Sequence, residues 1–311
     1  MRAARMLRAL FIALSESRGL RGIAERSRVG RRVSGRFVAG MTVEEALQAA
    51  ARTNAAGMSV SVDNLGENVT NIHEAEESAR LYHELLDAIA ARGLNANVSM
   101  KLTHMGLDVD ESVARRITAE LVAHAARSNN FVRIDMEGSP YTQKTLDIVR
   151  ELHSQPGHAG HVGAVIQAYL RRSRADVEAL CAEGIRIRLC KGAYKEPPEI
   201  AFQAKAEVDR SFVELMKVML KSGVYHGIAT HDPKMIEATI AFARAEKIAA
   251  NRFEFQMLYG VRRDLQESLG RDGWGMRVYI PFGTEWYPYL MRRLAERPAN
   301  VLFIAKNLFR R

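Results

Sequence analysis

Cysteine is nearly absent: Cys181 and Cys190 are the only two in 311 residues and form no C-x-x-C pair, which excludes a disulfide scaffold and the usual zinc or redox motifs. A reducing compartment is the default. No apolar run approaches the roughly 18 residues that a bilayer-crossing helix needs. No G-x-G-x-x-G follows a candidate strand, so a dinucleotide held in the Rossmann manner has no support. Nor does any Ser–His–Asp arrangement suggest nucleophilic hydrolysis. His153, His158 and His161 share one loop, but their spacing fits no usual metal site and no carboxylate cluster joins them, so no metal is expected. Internal repeats, low-complexity tracts and long linkers are also lacking. What is present, 47% apolar and 26% charged residues, describes an ordinary globular chain with enough length for a sizeable core.

The net charge of +9 is unevenly spread. Residues 1–40 hold ten arginines and two acids, whereas the other 271 residues carry 35 basic and 34 acidic groups. The body is neutral and the arm is basic. Met6, Leu7, Leu10, Phe11 and Leu14 recur at helical spacing within the arm, giving a basic amphipathic helix. Three readings are open for it: a helix packed on the body, a membrane-surface contact, or a targeting peptide. We divide the chain into a basic helical arm, 1–50, and a catalytic domain, 51–311.

From about residue 57 short apolar runs alternate with longer helical stretches. Candidate strands are 58–63, 97–102, 131–136, 162–167, 185–190, 226–230, 253–258 and 276–281. Candidate helices are 73–92, 110–128, 142–154, 173–183, 201–222, 233–247, 261–269 and 285–297. Near-continuous apolar strands separated by helices imply a parallel sheet, and eight units in about 250 residues point to an α/β fold closed as a (β/α)8 barrel. A doubly wound open sheet is the runner-up.

Each candidate strand carries polar residues at or just beyond its end: Asp63, Lys101, Asp135 with Glu137, Gln167, Arg188 with Lys191, Thr230 with His231, Gln256 and Tyr279. In such a barrel these ends converge on one mouth. Lys101, Arg188 and Lys191 face few acids, mainly Asp135, so an anionic ligand is expected there. We read Asp135 and Glu137 as facing opposite ways, which leaves no simple acid/base pair. The segment 188–194 puts Gly192 beside two cations, a turn that suits a phosphate. Asp232 is a plausible N-cap and Pro233 the first residue of the helix that follows, whose N-terminus is a second anion site. Tyr289, Arg292, Arg293 and Glu296 fall on one helical face, where paired guanidinium forks suit a carboxylate.

Seven motifs occur in order at these positions: VSMKL (98–102), RIDME (133–137), IQAY (166–169), RLCKGAY (188–194), ATHD (229–232), FEFQML (253–258) and YLMRRLAERPAN (289–300). Together they resemble the FAD-dependent proline dehydrogenases, specifically the short monofunctional bacterial type, from about residue 40 to the C-terminus. The resemblance implies a distorted (β/α)8 barrel with FAD across its C-terminal mouth. It implies oxidation of L-proline to Δ1-pyrroline-5-carboxylate by hydride transfer from proline C5 to flavin N5, the first step of proline catabolism. Arg292, Arg293 and Lys101 would bind the proline carboxylate, Tyr289 and Tyr194 would wall the ring, and Glu296 would hold the arginines. Asp135 would position the active-site cations, and Arg188 would sit near the isoalloxazine ring. Gln167 would bond the polar edge of the flavin and Met136 would lie against it. Lys191, Gly192, Ala193, Thr230 and His231 would hold the remainder of the cofactor, with Gln256 adding a contact. Cys190 stands where the family pattern leads us to expect valine.

The implied partners are L-proline, a quinone electron acceptor and a pyrroline-5-carboxylate dehydrogenase, with no nucleic acid. The expected location is cytoplasmic, with peripheral contact at the inner face of the membrane through the arm. Two rival readings differ in their tests. Another flavin-bearing barrel enzyme with an anionic substrate, such as a folate reductase, would be bleached by reduced nicotinamide and not by proline. A nucleic-acid or membrane binder acting through the arm would show steep salt dependence and no flavin.

Overall fold

The computed structural model describes Ser27 and residues 34–296, with backbone only for 292–296. Most of the basic arm, including its expected amphipathic helix, lies outside the described residues. Helix α1 (Val43–Ala55) is the first long element and opens on a capping box, in which Thr42 and Glu45 satisfy each other's backbone N–H. It crosses the expected boundary at residue 50, and its buried Ala46, Leu47, Ala49 and Ala50 belong to the main core.

Eight strands follow: β1 (Ser59–Asn64), β2 (Ala96–Met100), β3 (Val132–Ile134), β4 (Val162–Gln167), β5 (Arg186–Cys190), β6 (His226–Ala229), β7 (Phe253–Leu258) and β8 (Gly275–Phe282). Each pairs in parallel with the next, and β8 closes on β1 with Val60 opposite Val278 and Asp63 opposite Pro281. Closure removes the open-sheet alternative. The intervening helices are α2 (Ile72–Ala91), α3 (Glu111–Arg127), α4 (Ser139–Ser154), α5 (Ser173–Ala182), α6 (Lys205–Lys221), α7 (Pro233–Ala245) and α8 (Arg263–Arg271), with α9 (Trp286–Glu296) after β8. As expected, Asp232 caps α7 by accepting from the Lys234 N–H, and Pro233 is its first residue. No helix among the described residues is long and apolar enough to cross a membrane.

The strands were expected to be near-continuously apolar, and here the structure differs. Outward positions such as Val60, Val62, Val98, Ile187, Leu189, Phe253 and Phe255 are buried against helix residues including Leu85, Leu121, Leu146 and Phe212. Withdrawing each such side chain from water is worth about 1.5–3 kcal/mol. The alternate positions, Ser61, Asn97, Ser99, Arg133, Arg188, Glu254, Gln256 and Arg277, are polar and bond across the barrel interior. Arg188 on β5 reaches Ser61 on β1, and Arg277 on β8 reaches Asn97 on β2. These strands are not neighbours, so the bonds must traverse the lumen. A barrel of this kind is usually filled by branched aliphatic layers. This one is filled by a hydrogen-bonded network, and its apolar core is a ring outside the sheet.

Candidate active site

Arg188 is the hub of the lumen. Its Nη1 donates to Asp135 Oδ1 at 2.7 Å and to Ser99 Oγ at 3.1 Å, its Nη2 to Ser61 Oγ at 3.2 Å, and its Nε to Gln256 Oε1 at 2.5 Å. The guanidinium carbon lies 5.1 Å from the centre of the Tyr279 ring. Tyr279 in turn donates its hydroxyl to Asp135 Oδ2 at 2.8 Å, while Ser99 donates to Oδ1. Both carboxylate oxygens of Asp135 are thus engaged, an arrangement that fixes a cation and does not leave an idle base. Burial, with the charges of Asp135 and Asp63, pushes the Tyr279 hydroxyl well above its ordinary value, so it remains a donor.

Two glycines make room for this packing. A Cβ at Gly227 would fall on the Gln256 amide, and one at Gly163 would fall on the Arg186 carbonyl and the Arg133 guanidinium. Gln256 is engaged within the lumen, donating to Glu254 Oε1 at 2.6 Å while it accepts from Arg188.

Beside this hub Lys101 lies one residue beyond β2, with its Nζ 3.6 Å from Asp63 Oδ2. Burial pushes the Asp63 carboxyl up to about 6, against the pull of Lys101 and with further repulsion from Asp135. Burial also disfavours the charge on Lys101, but Asp63 and Asp135 outweigh it and hold the ammonium above its ordinary value. Lys191 bonds both Asp209 and Asp232, the latter at 2.7 Å. The expectation that the mouth cations face few acids is therefore corrected. Among the described residues each of Lys101, Arg188 and Lys191 has a carboxylate partner. Asp209 lies on a helix 18 residues further along, out of reach of strand-end reasoning.

The divergence of Asp135 and Glu137 is observed, but strand alternation is not its cause, since residues two apart in a strand share a face. The third strand ends at Ile134 and not at 136 as expected. Asp135 turns to the lumen, and Glu137 accepts from the Thr103 N–H and hydroxyl, the latter at 2.6 Å. Gln167 bridges the mouth by donating to the Glu137 carbonyl at 3.0 Å and accepting from the Ala193 N–H at 3.4 Å.

After β5 the chain runs as an exposed ledge through Gly192, Ala193 and Tyr194. Gly192 has φ +113°, a conformation that favours glycine, and its backbone packs against the Tyr169 ring. The Thr230 hydroxyl accepts from the Asp232 N–H, and His231 Nε2 accepts from the Leu258 N–H at 2.9 Å.

The pattern of the proline dehydrogenase family matches residues 46–306. Proline dehydrogenase 1 of Bacillus subtilis (strain 168) is 39% identical over 308 residues, covering 98% of this chain and all of that protein. The chain belongs to the proline dehydrogenase family. The Proline dehydrogenase of Deinococcus radiodurans is also 39% identical, over 88% of this chain and 89% of its own. Among solved structures, proline utilization A (PutA) from Bdellovibrio bacteriovorus, inactivated by N-propargylglycine, superposes with a TM-score of 0.83 at 25% identity. That match covers 94% of this chain and 36% of the PutA chain, so the present chain spans about a third of that protein.

For a proline dehydrogenase the mouth brings together Lys101, Asp135, Gln167 and Arg188, and the ledge adds Lys191, Gly192, Ala193 and Tyr194. Met136 is buried in the main apolar core. Tyr289 is buried on α9 in a separate apolar cluster with Phe37, Leu65 and Trp286. The side chains of Arg292, Arg293 and Glu296 lie outside the described residues. Sequence reasoning missed Ser61 and Ser99, which orient Arg188, and the Glu254–Arg277 pair beneath it at 2.6 Å. The signal was available as alternation in SVSVD, RIRLC, FEFQ and MRVY.

Proposed function

We propose that the protein oxidises L-proline to Δ1-pyrroline-5-carboxylate with FAD as its cofactor. The observation that carries this reading is the Arg188–Asp135–Tyr279 constellation at the C-terminal mouth of a barrel of this family. The residues fit the cofactor by their chemistry. An amide, a hydroxyl, an ammonium and a guanidinium border an open ledge whose glycine carries no side chain, a suitable set for the ring edge, ribityl chain and pyrophosphate of FAD. Gln167 and Arg188 would hold the flavin ring, and Met136, whose side chain is buried in the apolar core, would meet it through its backbone alone. Lys191, Gly192, Ala193, Thr230 and His231 would hold the remainder. FAD bound there supplies the acceptor for the hydride leaving proline C5.

The protein's own part is positioning. Arg292, Arg293 and Lys101 bind the proline carboxylate by charge-assisted bonds, Tyr194 and Tyr289 border the ring, and Glu296 steadies the arginines. Asp135 keeps Arg188 rigid, with Ser61 and Ser99 as further supports and Gln256 beneath. No residue is assigned as a base toward the amine, which loses its proton to water or on entry. Electrons then pass to a membrane quinone, with the basic arm making peripheral contact with anionic lipid at the inner face of the membrane. A pyrroline-5-carboxylate dehydrogenase consumes the product. Anaerobic titration of the purified protein with L-proline tests the reading, the expected outcome being loss of the oxidised flavin bands. A colourless protein that added FAD does not reconstitute would overturn it.

A further inference from the structure

The end of the barrel opposite the mouth holds a second polar space. A cavity of about 560 Å³ opens between the loop before β2 (Gly93–Asn95) and the loop before β3 (Ser128–Phe131), and extends up the lumen as far as Arg188 and Gln256. Four guanidinium groups line it, from Arg133, Arg186, Arg188 and Arg277, against a single carboxylate, Glu254. Two of the four are already neutralised: Arg277 pairs with Glu254, and Arg188 pairs with Asp135 from above.

Arg133 and Arg186 are different. Neither forms an ion pair among the described residues. Arg133 is 3% exposed, and its Nη1 donates only to backbone carbonyls, those of Ala164 at 2.9 Å and Arg186 at 2.6 Å. Arg186 Nε is buried with no hydrogen-bond partner. Both guanidiniums lie against the one Phe131 ring, at 4.6 and 4.4 Å from its centre, and Arg186 also lies 5.0 Å from the Tyr225 ring. Burial and the neighbouring guanidiniums pull Arg133 well below its ordinary value against the weaker attraction of Glu254 and Asp135, and burial lowers Arg186 despite the attraction of Glu254. Aromatic faces and carbonyls attract a cation but carry no countercharge, and a buried charge without one is strongly destabilising.

We infer that the floor of the barrel is an anion site, in which Arg133 and Arg186 bind a small multivalent oxyanion of the phosphate type, separate from the catalytic mouth. The ligand supplies the charge that the fold omits, and guanidinium forks suit its geometry. The Asn95 and Ser128 loops border the entrance, so the site is reached without passage through the mouth.

Isothermal titration with inorganic phosphate tests the site, using the flavin-loaded enzyme with L-proline present and ionic strength matched with chloride. Saturable 1:1 binding is expected, weakened at least tenfold in Arg186→Met. Arg186→Lys, which retains the charge but loses the fork, is expected to weaken it less and serves if the methionine variant does not fold. Absence of saturable binding, or affinity unchanged by both substitutions, would overturn the proposal. Dependence on Arg186 separates this end of the barrel from the mouth, whatever the mouth binds.

Discussion

Arg188 on β5 and Asp135 just beyond β3 meet at 2.7 Å across the lumen, over the intervening strand β4. The bond does not belong to the sheet ladder, so its geometry depends on side chains alone: Ser99 and Tyr279 on the carboxylate, Ser61 and Gln256 on the guanidinium. Removing one member leaves the other charge hydrogen-bonded but without its counterion. Arg188→Met is expected to lower stability by about 3–5 kcal/mol and to abolish proline turnover. Denaturant melts and initial rates check the two effects separately.

Tyr279→Phe is milder, because it deletes a single donor to Asp135 and retains the ring against Arg188. A loss of about 1–2 kcal/mol in stability is expected, together with slower turnover and unchanged flavin content. A variant indistinguishable from the parent in both melts and rates would contradict the role assigned to the hydroxyl.

Asp63 gives a pH signature. Its carboxyl titrates near 6 in the folded protein, above the ordinary value of about 3.8, so the folded state holds this proton more tightly than the unfolded chain does. Its ionisation therefore erodes stability as pH rises from about 4 to 6, and the erosion is complete above that window. Asp63→Asn abolishes the titration. The attraction of Lys101 is already contained in the folded-state value of Asp63, so exchanging the neutral acid for an amide adds only a constant offset. The stability of Asp63→Asn relative to the parent is expected to climb between pH 4 and 6 and then level off, as urea melts at each pH would show.

The two lumen glycines are expected to differ. At Gly227 a new methyl meets the movable end of Gln256, whereas at Gly163 it meets the Arg186 backbone carbonyl as well as the Arg133 guanidinium. Gly227→Ala should fold with a loss of about 1–3 kcal/mol. Gly163→Ala should lose more, because backbone must shift. Equal midpoints in denaturant would contradict this ordering.

Arg292 and Arg293 test the substrate end. Replacing both with methionine is expected to raise the KM for proline at least a hundredfold while flavin content, read from the visible spectrum, stays intact. An unchanged KM would remove the carboxylate role from this pair.

The barrel was legible in the sequence because parallel strands with buried outer faces keep their apolar residues whatever lines the lumen. Strand positions came within a residue or two throughout, and the largest errors, two residues at the ends of the second and third strands, arose because Lys101–Leu102 and Asp135–Met136 continue the alternation of polar and apolar residues after pairing has stopped. Arg188, Asp135 and Gln167 were legible as polar residues at strand ends. Ser61, Ser99, Glu254 and Arg277 left only the weaker signal of a period-two alternation, because each lies inside a strand whose outward residues dominate its hydropathy. The partners of Lys191 were hidden for another reason. Asp209 reaches it from the following helix, and a contact between elements has no local pattern.

The placement of the apolar ring outside the sheet has an evolutionary corollary. Tolerance to substitution should run radially: along any one strand, odd and even positions answer to different selective demands. Outward residues govern how much soluble enzyme accumulates, and inward ones govern what each molecule does. In a saturation library scored for both abundance and growth on proline, the two phenotypes would part company with a period of two.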